Sequence, residues 1–256
     1  MSVESRPIGH HVVRLEEVES TNTLVLQNPD YLEHHGLVVL ARHQTGGRGR
    51  MGRRWASLPG QQLQFTVVLH PILPPEDFSI FSLLGGVAVA QAVEERVGLS
   101  PRLKWPNDVM VDGGKVCGIL LESRPGPAGA PRLAMGIGLN CLGSPGDFPE
   151  EIRPLVNTLS NAAGKPVEME PLFEHILNTL EYWHGQVTAG DTRALIEAWT
   201  ARGLLRGQRV RVDTEEGMRE CSPLGLTAEG YLLVEGDNGE RFVQISGDLE
   251  WLEAES

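Results

Sequence analysis

The sequence predicts an α+β fold, in which a mixed α/β body is followed by a small C-terminal β-barrel. Strand-like runs alternate with amphipathic helical segments over roughly the first 200 residues. Near Gly203 the pattern changes to short strand-like runs separated by turns, which is typical of a small barrel. We therefore predict two domains, residues 1–203 and residues 204–256.

The strands of the first domain are predicted from alternating or short apolar runs. A hairpin is indicated by Asp112-Gly113-Gly114 between two of them, and Pro125–Pro131 has the composition of a hairpin loop. The predicted strands are His11–Val18, Gly36–Arg42, Gln61–His70, Arg102–Trp105, Asp108–Val111, Lys115–Glu122 and Arg132–Asn140. Those of the barrel are Gln208–Val212, Met218–Pro223, Tyr231–Val234 and Arg241–Ile245.

Helices are predicted where apolar residues recur with a period near 3.6. Ser20 or Thr21 can cap a helix between the first two strands. A long helix spans Phe78–Val97 and is closed by Gly98. The helical period returns from Pro171 to about Trp199 and indicates two helices, with Leu172, Ile176, Leu180 and Trp183 on one face.

Composition excludes several classes of protein. The 256 residues carry 34 Asp and Glu against 22 Lys and Arg, a formal charge of -12, which disfavours general binding of nucleic acid. No run approaches the roughly 18 apolar residues of a membrane span, and Met1–Pro7 lacks the pattern of a signal peptide. Three cysteines without CxxC spacing argue against disulfides and zinc. We expect a cytoplasmic protein that binds neither membrane nor DNA.

Two local anomalies stand against this average composition. No Asp or Glu occurs between Glu33 and Glu76, and the segment Arg42–Trp55 within this gap contains five arginines. The chain also has 19 Arg but only 3 Lys, two of which, Lys104 and Lys115, lie 11 residues apart. A compact ammonium used so sparingly suggests a specific task that arginine cannot perform.

The Gly46–Trp55 loop combines glycines, which let backbone N–H groups face an anion, with guanidinium groups that bind phosphate or carboxylate oxygens. Its alternatives are a solvated basic loop and a nucleic-acid patch. No GxxxxGK[ST] motif is present, so the loop is not a Walker A loop. Gly47-x-Gly49-x-x-Gly52 runs into Arg-Arg-Trp and a strand, so its match to the dinucleotide fingerprint is a false positive.

Two further segments carry unusual residues. Lys104-Trp-Pro-Asn-Asp108 has a plain explanation as a tight strand connection, which leaves two rare lysines and a tryptophan unexplained. Lys115 follows a hairpin turn, and a rigid strand could direct its ammonium into a cleft where negative charge develops. Gly136 and Gly138 within a strand permit the close approach of a ligand or another backbone, or packing against a helix.

Taken in order, these segments resemble the motifs of biotin protein ligases, from about residue 12 to the C-terminal barrel. The motifs are Ser20-Thr21-Asn22, Gln44-x-x-Gly-Arg-Gly-Arg-x-Gly-Arg-x-Trp55, Lys104-Trp-Pro-Asn-Asp108, Lys115-x-x-Gly118 and Gly136-x-Gly-x-Asn140. The resemblance implies a seven-stranded mixed sheet with helices, like that of class II synthetases, and an SH3-like barrel. It implies a ligase that forms a C–N bond. Biotin and ATP give biotinoyl-5′-AMP and pyrophosphate, and a carrier-protein lysine then takes the biotin.

The resemblance also implies roles for individual residues. Lys115 would bridge the biotin carboxylate and the α-phosphate, Arg48 and Arg50 would close over them, and Asp108 would accept the incoming lysine's proton. Biotin contacts would come from Ser20, Thr21, Asn22, Gln44, Gly47, Arg48, Gly49, Arg50, Lys115, Gly118, Gly136 and Gly138. Nucleotide contacts would come from Arg50, Arg53, Trp55, Lys104, Asn107 and Asn140.

The implied partners are a biotin carboxyl carrier domain of a biotin-dependent carboxylase and, as a candidate assembly, a homodimer. Mg²⁺ is expected on the ATP, with no metal site built from side chains. Both chemical steps pass through a crowded anionic centre, so fixed positive charge should supply most of the catalysis. The acid-free stretch around the arginine loop would keep competing carboxylates away from the substrate anions.

Three alternatives compete with this hypothesis. A biotin-responsive repressor is disfavoured by the charge and by the 19 residues before Ser20, too few for a helix-turn-helix domain. A lipoate ligase-like acyltransferase is disfavoured by the long Arg/Gly loop, and a biotin-storing module would lack turnover. The C-terminal Gly247-Asp-Leu-Glu-Trp-Leu252 departs from the family's Ser-x-Arg, so the resemblance assigns no arginine of the tail to the nucleotide.

Overall fold

A computed structural model describes residues 7–126, 129–205, 208–214, 217–245, 247 and 249–252. Three predicted features fall partly outside these residues. They are the N-terminal stretch of Met1–Pro7, the tip of the Pro125–Pro131 loop and Asp248 in the C-terminal tail.

The larger sheet has seven strands, as expected. They are β1 (Val12–Val18), β2 (Val38–Gln44), β3 (Gln62–Leu69), β4 (Arg102–Lys104), β5 (Asp108–Val111), β6 (Gly114–Pro125) and β7 (Pro131–Asn140). Their order is β1-β2-β3-β7-β6-β5-β4. Only the pairing of β1 with β2 is parallel and the others are antiparallel, so the sheet is mixed. The turn between β5 and β6 has positive φ at Asp112 (48°) and Gly113 (77°), as a type I′ hairpin requires.

Within the described residues, six α-helices accompany the sheet. They are α1 (Thr21–Gln27), α2 (Pro29–Leu32), α3 (Ser79–Val97), α4 (Leu159–Ala163), α5 (Met169–Thr188) and α6 (Thr192–Arg202). Helices α3, α5 and α6 pack with the sheet into the main core, in which Leu172, Ile176, Leu180 and Trp183 are all buried as predicted. A smaller core around Val25, Val39 and Val68 lies beneath α1 and α2. Gly98 ends α3 at φ 79°, and its N–H donates to the carbonyls of Val93 and Glu94.

The long helix reaches the length and mean hydropathy of a membrane span, although it contains no uninterrupted apolar run of that length. The segment Pro75–Val97 is 23 residues long and, by length and composition alone, apolar enough to cross a membrane. However, 78% of its apolar window is buried inside the protein. Its apolar residues run around the whole helix because α3 is covered by the sheet and by other helices, which is the pattern of a core helix.

The smaller sheet consists of β8 (Arg209–Thr214), β9 (Gly217–Leu226), β10 (Leu232–Gly236), β11 (Arg241–Gln244) and β12 (Glu250–Leu252). It is antiparallel in the order β11-β10-β9-β8-β12, which fits the expected SH3-like unit. Four strands were predicted and β12 was missed. The indole Nε1 of Trp105 donates to the Gly230 carbonyl at 3.2 Å, and the Tyr231 hydroxyl donates to the Glu76 carbonyl at 2.9 Å. These bonds fix the small sheet against the body, while the domain boundary at residue 203 stays a prediction.

Three histidine rings lie together where the end of β3 meets α5. The ring centroid of His35 is 4.9 Å from that of His184 and 5.6 Å from that of His70. Burial, together with these neighbouring imidazoles, lowers the pKa of His35 to about 4. Burial also lowers the pKa of His70 and of His184. The other titratable groups acting on His35 are Glu181 of α5 and His10.

We predict that the melting temperature falls as the pH is lowered from about 6.5 towards about 4. In this window the unfolded chain takes up protons that the folded protein excludes from His35, so stability must decrease. Differential scanning fluorimetry across the window should show a shallower fall in His35→Gln. The exposed His11 provides the control, because His11→Gln should keep the wild-type slope. Equal slopes in wild type and His35→Gln would contradict the prediction.

Candidate active site

A cleft opens where the start of α1, the Gly46–Trp55 loop and the middle of β6 and β7 meet. It is lined by Ser20, Thr21, Asn22, Gln44, Arg48, Gly49, Arg50, Arg53, Arg54, Trp55, Phe65, Asn107, Asp108, Lys115, Gly118, Ile119, Leu120, Gly136, Ile137 and Gly138. The fold thus brings together most of the residues that the motifs single out, from segments more than 100 positions apart. Gly47, Lys104 and Asn140 are the three predicted site residues that do not line it.

One side of the cleft is a fixed row of polar groups on α1, β2 and β3. Gln44 accepts hydrogen bonds at its Oε1 from the backbone N–H of Thr21 (2.8 Å) and from the Thr21 hydroxyl (3.2 Å). Its Nε2 donates to Oε1 of Gln64 at 3.0 Å, and Gln64 donates to the Ser57 hydroxyl at 2.8 Å. Ser20 caps α1, accepting from the N–H of Thr23. Each amide is oriented by its neighbour, so the donors and acceptors facing the cleft are fixed before any ligand binds.

The same network continues through Asn22 towards the arginine loop. The Thr66 hydroxyl donates to Oδ1 of Asn22 at 2.6 Å, so the amide nitrogen of Asn22 faces β6. That nitrogen donates to the Leu120 carbonyl (3.2 Å) and to Oε2 of Glu122 (2.9 Å). Oε2 of Glu122 also accepts from Arg48 at 2.8 Å. A single carboxylate oxygen therefore joins the polar pocket to the loop.

The two glycines of β7 allow close approach on the cleft face. A Cβ at Gly136 would lie 2.5 Å from Oδ1 of Asn22, and one at Gly138 would lie 2.5 Å from Cε2 of Trp55. The sequence left open whether a ligand, another backbone or a helix approaches these glycines. The structure shows that side chains approach instead. Asn22, at the start of α1, lies against Gly136, and Trp55, at the end of the loop, lies against Gly138.

The arginine loop is folded onto the body. Arg48 and Arg54 form an isolated antiparallel bridge, and Met51 at the tip has φ 53° and is 78% exposed. Arg50 donates to Oδ1 of Asn107 at 3.2 Å and to the carbonyl of Gly247 at 3.1 Å. Burial lowers the pKa of Arg50. The loop's central arginine is thus held between Asn107 of the body and the backbone of Gly247, which precedes β12.

The expectation that carboxylates stay away from this loop was wrong in three dimensions. The acid-free stretch holds along the chain, but β6 brings Glu122 to 2.8 Å from Arg48. Similarly, β5 brings Asp108 to 2.6 Å from the ammonium of Lys115. The Arg48–Glu122 contact joins residues 74 positions apart, which is why the local composition of the loop did not reveal it.

Lys115 projects into the centre of the cleft from the start of β6. Its Nζ lies 5.8 Å from the centroid of the Trp55 ring as well as beside Asp108. The space for this arrangement exists because residue 118 is glycine, where a Cβ would lie 3.0 Å from Nζ of Lys115 and 3.3 Å from the indole. The ammonium is confined between an aromatic face and a carboxylate, while 29% of the Lys115 side chain stays exposed.

Asn140 lies beneath the cleft. Its side chain is buried, accepts from Nε2 of Gln62 at 2.7 Å, and donates to the carbonyls of Lys115 (3.3 Å) and Asn157 (3.1 Å). The backbone N–H of Asn157 also donates to the Lys115 carbonyl, at 3.0 Å. In this structure Asn140 therefore fixes the backbone from which Lys115 projects.

Lys104 lies at the end of β4, outside the lining of the cleft. Burial is the main cause that lowers its pKa, with Lys115 and Arg53 acting in the same direction and Asp108 opposing them. Gly47 packs under Trp55, where a Cβ would lie 3.0 Å from the Trp55 carbonyl. Both residues therefore lie behind the surface of the cleft.

The cleft as a whole is cationic with an apolar floor. Among the described residues its lining holds five cationic side chains and one carboxylate, Asp108, in a chain of net charge -12. Phe65, Ile119, Leu120 and Ile137 supply the apolar part. A fitting ligand would combine a polar head for the amide row, an apolar body and an anionic group for the arginines.

Known proteins resemble this chain in architecture and in sequence. The profile of the biotin/lipoate A/B protein ligase family matches residues 15–140. The bifunctional ligase/repressor BirA of Bacillus subtilis is 32% identical over 97% of this chain and 76% of its own length. The chain belongs to this ligase family. A biotin--[acetyl-CoA-carboxylase] ligase of Paracoccus denitrificans is 31% identical over 90% of this chain and 96% of its own. The biotin protein ligase of Aquifex aeolicus, solved in complex with biotin and ATP, superposes with a TM-score of 0.82 at 26% identity, covering 96% of this chain and 100% of that one.

Two kinds of residue at the cleft are not part of the sequence motifs. The apolar lining of Phe65, Ile119, Leu120 and Ile137, together with Arg54, was not among the predicted site residues. Glu122 was also missed, although its side chain joins Asn22 to Arg48. The alternation along β6 could have indicated that Glu122 shares a face with Gly118 and Leu120, because every second residue of a strand lies on the same face.

We predict that Gly138→Ala displaces the Trp55 side chain and lowers the free energy of unfolding by about 1–3 kcal/mol. The added Cβ would lie 2.5–3.0 Å from three atoms of the indole, so the ring must move. Denaturant unfolding and tryptophan fluorescence would measure both effects. Gly225→Ala is the matched control, since it also replaces a strand glycine but its Cβ meets nothing within 4 Å. Identical stability of the two variants would contradict the prediction.

Proposed function

We propose that this chain is a biotin protein ligase, which joins biotin to ATP as biotinoyl-5′-AMP and passes the biotinoyl group to a carrier lysine. One observation carries the proposal. A fixed row of amides, an apolar floor and a cluster of arginines and Lys115 line one cleft, in a family whose named relatives include biotin ligases. The Aquifex aeolicus ligase that superposes on this chain is described with biotin and ATP bound.

Biotin offers a ureido ring, an apolar thioether ring and chain, and a carboxylate. The cleft offers a partner to each of these parts. We assign the ureido head to Ser20, Thr21, Asn22 and Gln44, and the apolar body to the floor around Ile137. The row is pre-oriented by Gln64 and Thr66, so little of the binding free energy is lost in ordering it. The carboxylate then faces Lys115 and the arginine loop.

Adenylate formation needs two anions to meet, the biotin carboxylate and the α-phosphate of ATP. We assign Lys115, Arg48 and Arg50 to hold these anions in line, while Arg53, Trp55 and Asn107 lie beside the nucleotide. The carboxylate oxygen attacks the α-phosphorus, and pyrophosphate leaves with the electrons of the broken P–O bond. No protein nucleophile is required. Fixed positive charge beside the negative charge that develops in the transition state therefore supplies most of the catalysis.

The transfer step needs a neutral amine. We assign Asp108, 2.6 Å from Lys115, as the acceptor of the proton from the carrier lysine. The amine nitrogen bonds to the acyl carbon, the bond from that carbon to the phosphate oxygen breaks, and AMP leaves. Lys115 then neutralises the phosphate that departs.

Magnesium belongs to the substrate in this proposal. Within the described residues no three His, Cys, Asp or Glu side chains are grouped as a metal site. We assign the phosphates of ATP and bound water as the donor set for Mg²⁺, which prefers oxygen ligands and retains water. Bound there, the ion would neutralise charge on the pyrophosphate.

The proposed partner is a biotin carboxyl carrier domain, and residues 204–256 are the proposed second domain. We place the protein in the reducing cytosol, because its three cysteines are buried thiols. Burial raises the pKa of Cys141 to about 12, which makes this thiol unreactive. A homodimer and the absence of membrane binding complete the proposal, and sedimentation velocity with and without biotin would test the dimer.

DNA binding is the second candidate, favoured by the similarity to a ligase/repressor and opposed by the charge of -12. Biotin-dependent exchange of labelled pyrophosphate into ATP tests the main proposal, followed by biotin transfer to a carrier domain. Lipoate in place of biotin separates the two branches of the family. A gel shift on operator-like DNA tests repression, and binding of biotin without exchange would contradict ligase activity.

We predict that Lys115→Ala lowers the rate of pyrophosphate exchange by about two to three orders of magnitude while the protein stays folded. Lys115→Arg should also fail, since a planar guanidinium cannot replace a point charge confined between Trp55 and Asp108. Exchange rates and circular dichroism of each variant are the measurements. An exchange rate within tenfold of wild type would refute the role of Lys115.

We predict that Arg50→Gly still makes biotinoyl-5′-AMP but releases it about ten to a hundred times faster, through loss of a charge-assisted hydrogen bond. In the competing explanation Arg50 only tethers the loop, through Asn107 and Gly247, and the variant loses activity. Incubation with biotin, ATP and serum albumin, followed by rapid filtration, distinguishes these outcomes. Adenylate in the filtrate and biotin on albumin lysines support the lid. An adenylate-free filtrate would contradict it.

A further inference from the structure

Glu122 lies on β6 at the rim of the cleft, and no step of the proposed reaction uses it. Its side chain is 24% exposed, and its Oε2 makes two contacts, one with Nδ2 of Asn22 at 2.9 Å and one with the Arg48 guanidinium at 2.8 Å. Asn22 belongs to the row assigned to the ureido ring, and Arg48 to the group assigned to the phosphate. Glu122 therefore touches both halves of the cleft without lining the part where the ligand would lie.

The pairing of Arg48 with Glu122 has a parallel in the pairing of Lys115 with Asp108. Two cations assigned to substrate anions thus carry an internal carboxylate in this structure. Asp108 already has a role in the transfer step, whereas Glu122 has none. A phosphate that approaches Arg48 must either share the guanidinium with Glu122 or replace it.

We propose that Glu122 is an internal counter-anion of Arg48, a positioning residue that weakens the hold of the loop on the adenylate. This inference rests on the proposed function, since the adenylate is the anion that Arg48 would hold. In the absence of ligand, Glu122 keeps Arg48 at the cleft rim beside Asn22. With the adenylate bound, the carboxylate competes with the phosphate for the same guanidinium.

Glutamine at position 122 separates charge from geometry. Because both contacts are made to the one oxygen Oε2, an amide oxygen in the same place keeps both hydrogen bonds and removes only the negative charge. A half-exposed ion pair contributes about 0.2–1 kcal/mol, which corresponds to an affinity change of up to about fivefold. Removal of the competing charge should therefore tighten the binding of anionic ligands and leave neutral ligands unaffected.

Two probes report on the two halves of the cleft. Biotinol is a neutral alcohol that keeps the rings of biotin, and biotinol-5′-AMP keeps the phosphate but replaces the reactive anhydride with an ester. Titration calorimetry of the full chain should show that Glu122→Gln binds biotinol-5′-AMP about two- to fivefold more tightly. Its affinity for biotinol should equal that of the wild type. The charge of Glu122 acts through Arg48. Arg48→Gln and the double variant Arg48→Gln/Glu122→Gln should therefore bind biotinol-5′-AMP with equal affinity.

Glu33→Gln is the matched control, since it removes the charge from an ion pair with Arg132 at 3.2 Å outside the cleft lining. It should bind both probes as the wild type does. Equal or weaker binding of biotinol-5′-AMP by Glu122→Gln would overturn the inference, as would a gain that persists without Arg48. Wild-type protein that binds neither probe would instead overturn the proposed function.

A second measurement needs no change at position 122. ¹⁵N resonances of the arginine side chains in the wild type, with Arg48 assigned by its loss in Arg48→Gln, report on the partner of this guanidinium. Biotinol-5′-AMP should shift the Arg48 resonance, whereas biotinol should not, because only the adenylate brings a competing anion. An Arg48 resonance unmoved by biotinol-5′-AMP would also overturn the inference.

Discussion

The active cleft depends on two missing Cβ atoms in the middle of the large sheet. At Gly136 and Gly138 a side chain would lie within 2.5 Å of Asn22 and of Trp55, respectively. Their absence lets the start of α1 and the end of the arginine loop lie directly on β7. The row of amides and the loop are thereby fixed to one strand, and Lys115 enters between them from the neighbouring strand β6. Rigid strands suit this purpose, because a site held by loops alone would lose the precision that charge stabilisation requires.

Charge in the cleft is set by the fold more than by local composition. The arginine loop belongs to a stretch of the chain without acids, yet Glu122 and Asp108 reach Arg48 and Lys115 from two other strands. These carboxylates keep neighbouring cations from repelling one another before a substrate arrives. In the proposed reaction a substrate phosphate or carboxylate would exchange with one of these carboxylates, so its net gain in binding would be smaller than its direct contact with the cation.

The sequence supports accurate prediction where local chemistry decides the structure. The hairpin at Asp112-Gly113, the αL end of α3 at Gly98 and the buried face of α5 all follow from short-range rules, and all were predicted. Strand β12 was missed because it has three residues and is defined by pairing with β8, about 40 positions earlier. The apolar composition of α3 has two explanations, a membrane span and a core helix, and only its tertiary contacts decide between them.

The difference between what local sequence determines and what long-range contacts determine also applies to the site. Motif residues such as Lys115, Trp55 and Gly138 do meet at the cleft, whereas the motif residue Asn140 is buried beneath it and holds the backbone of Lys115. A motif marks residues that a site needs but does not say whether the side chain faces the ligand. Glu122 shows the reverse case, since its position is explained by contacts with Asn22 and Arg48 that no local pattern contains.

The C-terminal sheet takes part in this arrangement through its backbone. The tail lacks the arginine expected from the family's Ser-x-Arg pattern, and instead the carbonyl of Gly247 accepts a hydrogen bond from Arg50. Arg50 thus reaches from the loop to Gly247, which precedes β12, while Trp105 of the Lys104–Asp108 motif reaches Gly230, between β9 and β10. Any movement that separates Gly247 from the cleft therefore removes an anchor of Arg50. A backbone acceptor is available in any sequence, so this link between the arginine loop and the C-terminal tail does not depend on the side chains of the tail.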